Sequence, residues 1–142
     1  MYKYPIPSPI IDTQEQIQQS SYSDFKSPQF ATIDISLTID YLKQYDGNKA
    51  TFEAYRREIE RLLQWSWLIA KKSILEIKRQ DIQDYIEFCL SPPKLWIGTK
   101  RAVRFIERNG KRIANSKWRP FVATVSKQNF SKGEKPDKNH YQ

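Results

Sequence analysis

The residues best suited to chemistry in this sequence are its basic side chains, which are concentrated toward the carboxyl end. Residues 92–142 carry 13 lysines and arginines against 3 acids, in a chain whose formal net charge is +8. Such an unequal distribution predicts a polyanionic partner. A solubilising tail is the alternative interpretation. An acidic membrane surface is less favoured, because no basic amphipathic helix with a wide apolar face accompanies the charge.

Side chains that would catalyse a reaction are few and poorly placed. His140 is the single histidine, and it stands beside Tyr141 near the chain end, where neither a base nor a nucleophile would be oriented. The four glycines are scattered, so no glycine-rich phosphate loop is present. The single cysteine, Cys89, excludes an internal disulfide and a cysteine-based zinc site, and we expect it to be a small buried side chain. The sequence therefore predicts binding without catalysis, and no metal, cofactor or small-molecule substrate.

Residues 48–72 form the element around which a helical domain would be organised. Apolar residues recur there at the spacing of one helical face, with polar residues opposite. The apolar face comprises Phe52, Tyr55, Ile59, Leu62, Leu63 and Ala70, and the opposite face comprises Arg57, Arg61 and Gln64, flanked by Glu53 and Glu60. Asn48 is a suitable N-cap, and Gly47 suits the end of a preceding helix. Beyond residue 63 the helix is apolar on nearly every side, which predicts that neighbours enclose this end.

Two further helices are predicted, one before and one after this central helix. The first runs from about residues 34–36 to residue 46 and forms a hairpin with the central helix. The third covers about residues 80–90 and is ended by Ser91-Pro92-Pro93. The predicted inner faces are Ile35, Thr38, Ile39, Leu42 and Tyr45 in the first helix, and Ile82, Tyr85, Ile86 and Cys89 in the third.

The sequence changes character after Pro93. Asn109-Gly110 lies between two strand-like runs and favours a type I′ turn, because both central residues need positive φ. A hairpin is therefore predicted, with a basic helix over residues 99–108 as the competing interpretation. On a two-stranded ribbon, alternate basic residues would share one face. The aromatic residues Trp96, Phe105 and Trp118 either stack on bases or cover the core in place of a fourth helix.

These elements predict a mainly α fold class: a small orthogonal helical domain of three helices, with a basic, partly β insertion and flexible termini. We expect a flexible arm at residues 1–30, the helical domain at 31–92, the insertion at 93–125 and a flexible tail at 126–142. No apolar run approaches the ~20 residues of a membrane span, and no signal-peptide pattern is present. A cytoplasmic location is therefore expected.

Two of the helical motifs resemble a known family. The pattern Thr51-x-x-x-Tyr55-Arg56, followed by Leu62-x-x-Trp65, resembles the second helix of the SAM-like core-binding domain of tyrosine recombinases, the phage-type integrases. The pattern Ile77-x-x-x-Asp81-Ile82-x-x-Tyr85-Ile86 is similar to the third helix of that domain. The resemblance covers about residues 34–91. It ends at Pro93, after which nothing resembles the family's fourth helix or its catalytic domain.

The resemblance implies a non-catalytic segment of a site-specific recombinase, which clamps duplex DNA during integration or recombination and self-associates in the recombination complex. By resemblance, Thr51 and Arg56 face the DNA, and Lys49 and Arg57 are added from their charge and position. A second candidate DNA patch consists of Lys100, Arg101 and Arg104, extended by Lys111 and Arg112.

Purely structural roles stay open for these residues. Thr51 would be an ordinary first-turn helix residue, and the two arginines would belong to a solvated face paired with Glu53 and Glu60. Two other functions also stay open for the chain. The first is that of a small stand-alone nucleic-acid-binding or regulatory protein. The second is that of a helical protein-interaction module that uses a surface of Trp65, Trp67 and Leu68.

Overall fold

The computed structural model describes residues 5–19 and 29–141, apart from the side chains of Gln19 and His140. These residues form four α-helices and four short strands. The helices are α1 (Ala31–Leu42), α2 (Lys49–Trp65), α3 (Arg79–Leu90) and α4 (Lys127–Ser131), and the strands are β1 (Ile97–Gly98), β2 (Phe105–Arg108), β3 (Lys111–Ala114) and β4 (Phe121–Val122). The predicted mainly α fold class is confirmed. In the described segments, no helix is both long and apolar enough to cross a bilayer.

The predicted hairpin of α1 and α2 is present, but α1 begins at Ala31, before the predicted start at residues 34–36, and Tyr55, predicted on the apolar face of α2, is 42 % exposed. The buried residues of α1 include Ile35, Thr38, Ile39 and Leu42. A 3₁₀ turn at Lys43–Tyr45 follows α1, and Gly47 then adopts a φ of 87°, which a residue without a Cβ tolerates at low cost. The Asn48 side chain accepts a hydrogen bond from the Thr51 backbone N–H at 3.1 Å. The predicted N-cap is therefore confirmed, and it fixes the start of α2.

The carboxyl end of α2 is enclosed, as its apolar sequence predicted. The helix continues as one π-helical turn, Ser66–Ala70, and stops at Lys71, whose φ is 62°. Trp65 and Trp67 are only 4 % and 2 % exposed. The main core comprises Ile10, Ile11, Ile17, Ala31, Ile35, Ile39, Leu42, Phe52, Leu63 and Trp67. It joins the amino-terminal segment to the helical hairpin.

A buried carboxylate connects α1 to the chain that follows α2. Asp34 is 0 % exposed and accepts three hydrogen bonds. Its donors are the Trp67 indole N–H at 2.8 Å, the Ser73 hydroxyl at 2.6 Å and the Ile74 backbone N–H at 3.0 Å. Because a buried charge is costly unless it is hydrogen-bonded, these contacts hold the three segments in one arrangement.

The predicted inner face of α3 is partly wrong. Ile82 and Ile86 are 42 % and 54 % exposed, and none of the twelve α3 residues, all of which are described, is fully buried. The helix instead packs through Tyr85, whose ring lies 5.5 Å from that of Trp65, and through Phe88. The apolar residues of α3 span more than one face. The aromatic side chains that reach the helix from elsewhere decide which face is covered.

The block after Pro93 completes a second core cluster. This cluster comprises Trp96, Ile97, Phe121 and Ala123, with Leu68, Ile69, Phe88, Cys89, Leu95 and Tyr141 packed against it. Trp96 is 0 % exposed, and its ring centroid lies 5.0 Å from that of Phe88. β1 pairs in parallel with β4, which places Ile97 beside Phe121. Of the two predicted roles of Trp96, covering the core in place of a fourth helix is therefore the one observed, and Trp96 is not available to stack on bases.

The predicted β-hairpin is present. β2 and β3 pair antiparallel, with Arg108 opposite Lys111 at the closed end. Asn109 and Gly110 in the turn have φ values of 55° and 77°, as a type I′ turn requires. The competing helix over residues 99–108 is therefore excluded.

The amino-terminal segment is packed where we expected a flexible arm. Ile10 and Ile11 are fully buried, although these two adjacent isoleucines follow no helix or strand period. Gln64, expected on the polar face of α2, is buried and donates a hydrogen bond to the Ser8 carbonyl at 2.8 Å. The Trp96 indole N–H donates to the Pro5 carbonyl at 2.9 Å. Residues 1–4 and 20–28 of the expected arm lie outside the described residues.

The carboxyl-terminal segment also forms structure where we expected a flexible tail. Ser126 caps α4 by accepting a hydrogen bond from the Asn129 backbone N–H at 3.1 Å. Tyr141 packs edge-on against Phe121, with 5.5 Å between ring centroids. This contact returns the chain end to the second core cluster. The side chain of His140, the sequence neighbour of Tyr141, lies outside the part of the chain that the structure describes.

Candidate functional site

A cleft of about 490 Å³ lies between α2 and the block after Pro93. Six of the described arginines line it, and none of the described lining residues is an aspartate or a glutamate. The arginines are Arg56, Arg57 and Arg61 from α2, Arg101 and Arg104 before β2, and Arg119 before β4. The remaining walls are Ala102, Trp118, Pro120, Val122 and Tyr141. We call this site the arginine cleft.

Two arginines hold the walls of the cleft together through backbone carbonyls. Arg61 donates to the Pro120 carbonyl at 2.9 Å, and its guanidinium lies 4.4 Å from the centroid of the Phe121 ring. Arg119 donates to the carbonyls of Ser116 and Trp118, each at 2.8 Å. These contacts use neutral acceptors, so they fix the positions of both guanidinium groups without supplying a counter-charge.

A third arginine is neutralised by a buried acid. The Glu60 side chain is only 2 % exposed and forms a two-pronged ion pair with Arg104, one prong of which is 2.7 Å long. Glu60 also accepts hydrogen bonds from the backbone N–H groups of Ile10 and Ile11, at 2.7 and 2.8 Å. The expectation that Glu60 lies on a solvated face is therefore wrong. Arg104 builds the cleft wall, but its charge is already paired.

Arg56 is a partly buried cation with little compensation. Its Nε is buried and finds no acceptor among the described residues. Burial lowers the pKa of Arg56 to about 10, and repulsion from Arg104 acts in the same direction, while Glu60 and Glu53 oppose the shift. The Nε of Arg61 is likewise buried without an acceptor in the described part of the chain. An anion in the cleft would supply the missing acceptors and the missing negative charge.

The counter-charge near the cleft mouth is weak. Glu58 lies 3.7 Å from the Nε of Arg57 and 3.6 Å from a terminal nitrogen of Arg61, and its side chain is 60 % exposed. Water screens the exposed Glu58 carboxylate in both pairs, and the pair with Arg57, in which both partners are exposed, contributes at most about 1 kcal/mol. The cleft therefore keeps a strong positive potential after its internal ion pairs are counted.

The structure brings together four of the seven residues predicted to bind DNA. Arg56, Arg57, Arg101 and Arg104 all line the arginine cleft. Lys100 is exposed beside Arg101, outside the lining. Lys49 and Thr51 lie in the first turn of α2. Lys49 is on the same side of the helix as Arg56, whereas Thr51 is about 7.5 Å along the helix axis from Arg56 and about 140° around it.

The second predicted patch is divided by the fold. Arg112 donates to the two carboxylate oxygens of Asp12, at 2.8 and 2.5 Å, so its charge tethers the amino-terminal segment. Lys111 is exposed at the tip of the hairpin. The ion pair with Asp12 therefore removes Arg112 from the expected basic face of the hairpin.

Sequence reasoning missed Arg61 and Arg119 as cleft residues. Arg61 stands four residues after Arg57 on α2, and this spacing alone indicates a shared face. For Arg119 the sequence held no comparable signal, because its place depends on the pairing of β4 with β1. Trp118, considered for base stacking, does line the cleft, and the Arg104 guanidinium lies 5.2 Å from its ring centroid.

Comparisons of this chain with family models, curated proteins and solved structures find no match. The resemblance to tyrosine recombinases thus rests on the two helical motifs alone.

Proposed function

We propose that this chain is a DNA-binding segment of the core-binding type found in tyrosine recombinases, and that the arginine cleft receives phosphates of the DNA backbone. The single observation that carries the proposal is the convergence of six arginines, with no lining acid among the described residues. Arginine presents a planar fork of donors that matches phosphate oxygens in pairs.

The cleft and the predicted helix end form one continuous candidate interface. Lys49, in the first turn of α2, extends the line of Arg56 along one side of the helix, whereas Thr51 points to a different side. Phosphate contacts of this kind position a protein on DNA but do not read its sequence. The proposed role is therefore to clamp duplex DNA during recombination or integration, without a catalytic step by this chain.

The alternative of a protein-interaction module is not favoured, because the surface that it requires is buried. That alternative used Trp65, Trp67 and Leu68, yet both tryptophans are buried and Leu68 packs against the second core cluster. A small stand-alone nucleic-acid-binding protein would use the same cleft. A downstream R…H-x-x-R…Y pattern in a longer reading frame distinguishes the recombinase segment from that alternative.

The proposal is tested by the salt dependence of duplex binding. Each phosphate contact releases condensed counterions, and it contributes about −0.9 to the slope of log K against log salt. We expect the Arg56→Met/Arg57→Met double variant to reduce the magnitude of the slope by roughly one to two units. Methionine keeps the apolar stem of each side chain while it removes the charge.

The matched control is the double variant Lys132→Ala/Lys135→Ala, which removes two exposed charges outside the arginine cleft. Its slope should stay close to that of the wild type. Fluorescence anisotropy gives the slopes, and circular dichroism verifies that all variants are folded. Equal losses of slope in the two double variants would mean that binding follows net charge and not the cleft.

A further inference from the structure

We infer that the occupant of the arginine cleft is an unpaired nucleotide of single-stranded DNA, held by its phosphate and by stacking of its base on Trp118. This inference rests on the proposed DNA-binding function and specifies which part of the DNA enters the cleft. Duplex DNA then lies on the rim, along Lys49 and Arg57.

The size of the cleft favours a single strand. A cube of the cleft's 490 Å³ would be about 8 Å on a side. Because the major groove alone of B-DNA is about 12 Å wide, a whole duplex does not fit inside; only phosphates of its backbone reach the arginines from the rim, and its paired bases stay outside the cleft. Small-ligand pockets range from about 300 to 1,000 Å³, and one nucleotide belongs to this class of ligand.

The composition of the cleft also favours a single strand. Five of the eleven lining residues are uncharged, and they include the rings of Trp118 and Tyr141. A duplex presents mainly phosphates and sugars to a concave surface and keeps its bases stacked inside. It would offer no base to the Trp118 ring, whereas Tyr141 already packs edge-on against Phe121. An unpaired nucleotide offers both an anion for the guanidinium groups and a flat ring for the aromatic side chains, which is how single-strand grooves bind.

The arginines whose Nε atoms lack a hydrogen-bond acceptor among the described residues line the same cleft as Trp118. The Nε atoms of Arg56 and Arg61 are buried and find no acceptor among the described residues. Arg101 is exposed at the mouth, and Trp118 is half-buried with its ring beside Arg104. A phosphate held by the α2 arginines therefore places its attached base next to the opposite wall of the cleft.

The test uses a short blunt duplex and the same duplex with a single-stranded thymidine overhang of about 6 nucleotides, within the usual site size of such grooves. The matched control is an overhang of equal length that is abasic, which keeps the phosphates and sugars and removes the bases. We expect the thymidine overhang to bind about 5- to 150-fold more tightly than the abasic overhang, the range for stacking of one base on an aromatic side chain. The Trp118→Leu variant should lose this ratio and Trp118→Phe should keep most of it.

Intrinsic fluorescence of the wild type provides a readout that needs no variant. Trp65, Trp67 and Trp96 are 4 %, 2 % and 0 % exposed, so quenching by a bound base reports on Trp118. We expect quenching by the thymidine overhang and none by the abasic one. If the two overhangs bind equally and neither quenches, the inference is overturned while salt-dependent duplex binding keeps the proposed function intact. If neither the duplex nor the overhangs bind, both proposals are wrong.

Discussion

The Arg104→Ala substitution removes the cation that pairs with Glu60, whose side chain is only 2 % exposed. Breaking a buried ion pair by deleting one partner destabilises a protein by about 3–5 kcal/mol, because the other charge stays buried without compensation. Glu60 keeps its hydrogen bonds from Ile10 and Ile11, which still offset part of its desolvation. We therefore expect a loss near the lower end, about 3 kcal/mol.

This loss is measured as a shift of the urea unfolding midpoint. With a denaturant dependence of about 1–3 kcal/mol per molar urea, a loss of 3 kcal/mol lowers the midpoint by roughly 1–3 M. Arg101→Ala is the matched control, because it removes an exposed arginine from the same cleft. A surface substitution of that kind should change stability by less than about 0.5 kcal/mol.

A second substitution separates charge burial from lost packing. In the Arg104→Ala background, Glu60→Gln replaces the unpaired carboxylate by a neutral amide, which costs less to bury. Stability should therefore partly recover. If Arg104→Ala unfolds at the same urea concentration as Arg101→Ala, the reasoning is refuted and Glu60 is not the buried anchor described above.

Three further predictions concern the segments that position the cleft. Asp34→Asn removes acceptor capacity from three buried donors and should destabilise the fold by about 1–3 kcal/mol, with exposed Asp40→Asn as the control in the same urea assay. Burial would raise the pKa of Asp12, but the Arg112 hydrogen bonds and the Thr13 N–H outweigh it and hold that pKa below its ordinary value. Stability from Asp12 is therefore present above its unfolded pKa of about 3.9 and is lost as the pH falls toward the folded pKa, so Asp12→Asn should flatten the acid-unfolding curve. Asn48→Ala removes the α2 cap and should lower stability by about 1 kcal/mol in urea unfolding, and an unchanged midpoint would contradict the cap's role.

Local features of the fold could be predicted because they depend on neighbouring residues. The Asn48 cap involves residues three apart, and the Asn109-Gly110 turn involves adjacent residues. The buried face of α1 likewise follows from the spacing within one helix. The exposure of Ile82 and Ile86 could not be predicted, because a helical pattern shows which residues are apolar but not which side a partner will cover.

The amino-terminal segment shows the same limit more strongly. Its two buried isoleucines follow no period, and their place is fixed by backbone hydrogen bonds to Glu60, about fifty residues further along the chain. The ion pair of Asp12 with Arg112 spans 100 residues. Contacts over such distances leave no spacing signal in a single sequence.

The candidate site was predictable in its charge but not in its shape. The excess of basic residues after residue 92 and the arginines of α2 indicated a polyanionic partner, and four predicted residues do meet in the cleft. Sequence alone could not show that Glu60 neutralises Arg104 while Arg56 lacks an acceptor in the described part of the chain. That distinction depends on the packing of α2 against the block after Pro93.

The claim that the arginine cleft is the DNA-binding site is tested most directly by NMR of the arginine Nε–Hε groups during titration with DNA at low salt. We predict that the signals of Arg56 and Arg61, whose Nε atoms are buried without an acceptor among the described residues, shift strongly and exchange more slowly with water when DNA binds. The signal of Arg108, exposed at the hairpin tip, should stay nearly unchanged. Shifts at Arg108 with none at Arg56 and Arg61 would contradict the account and move the interface to the hairpin.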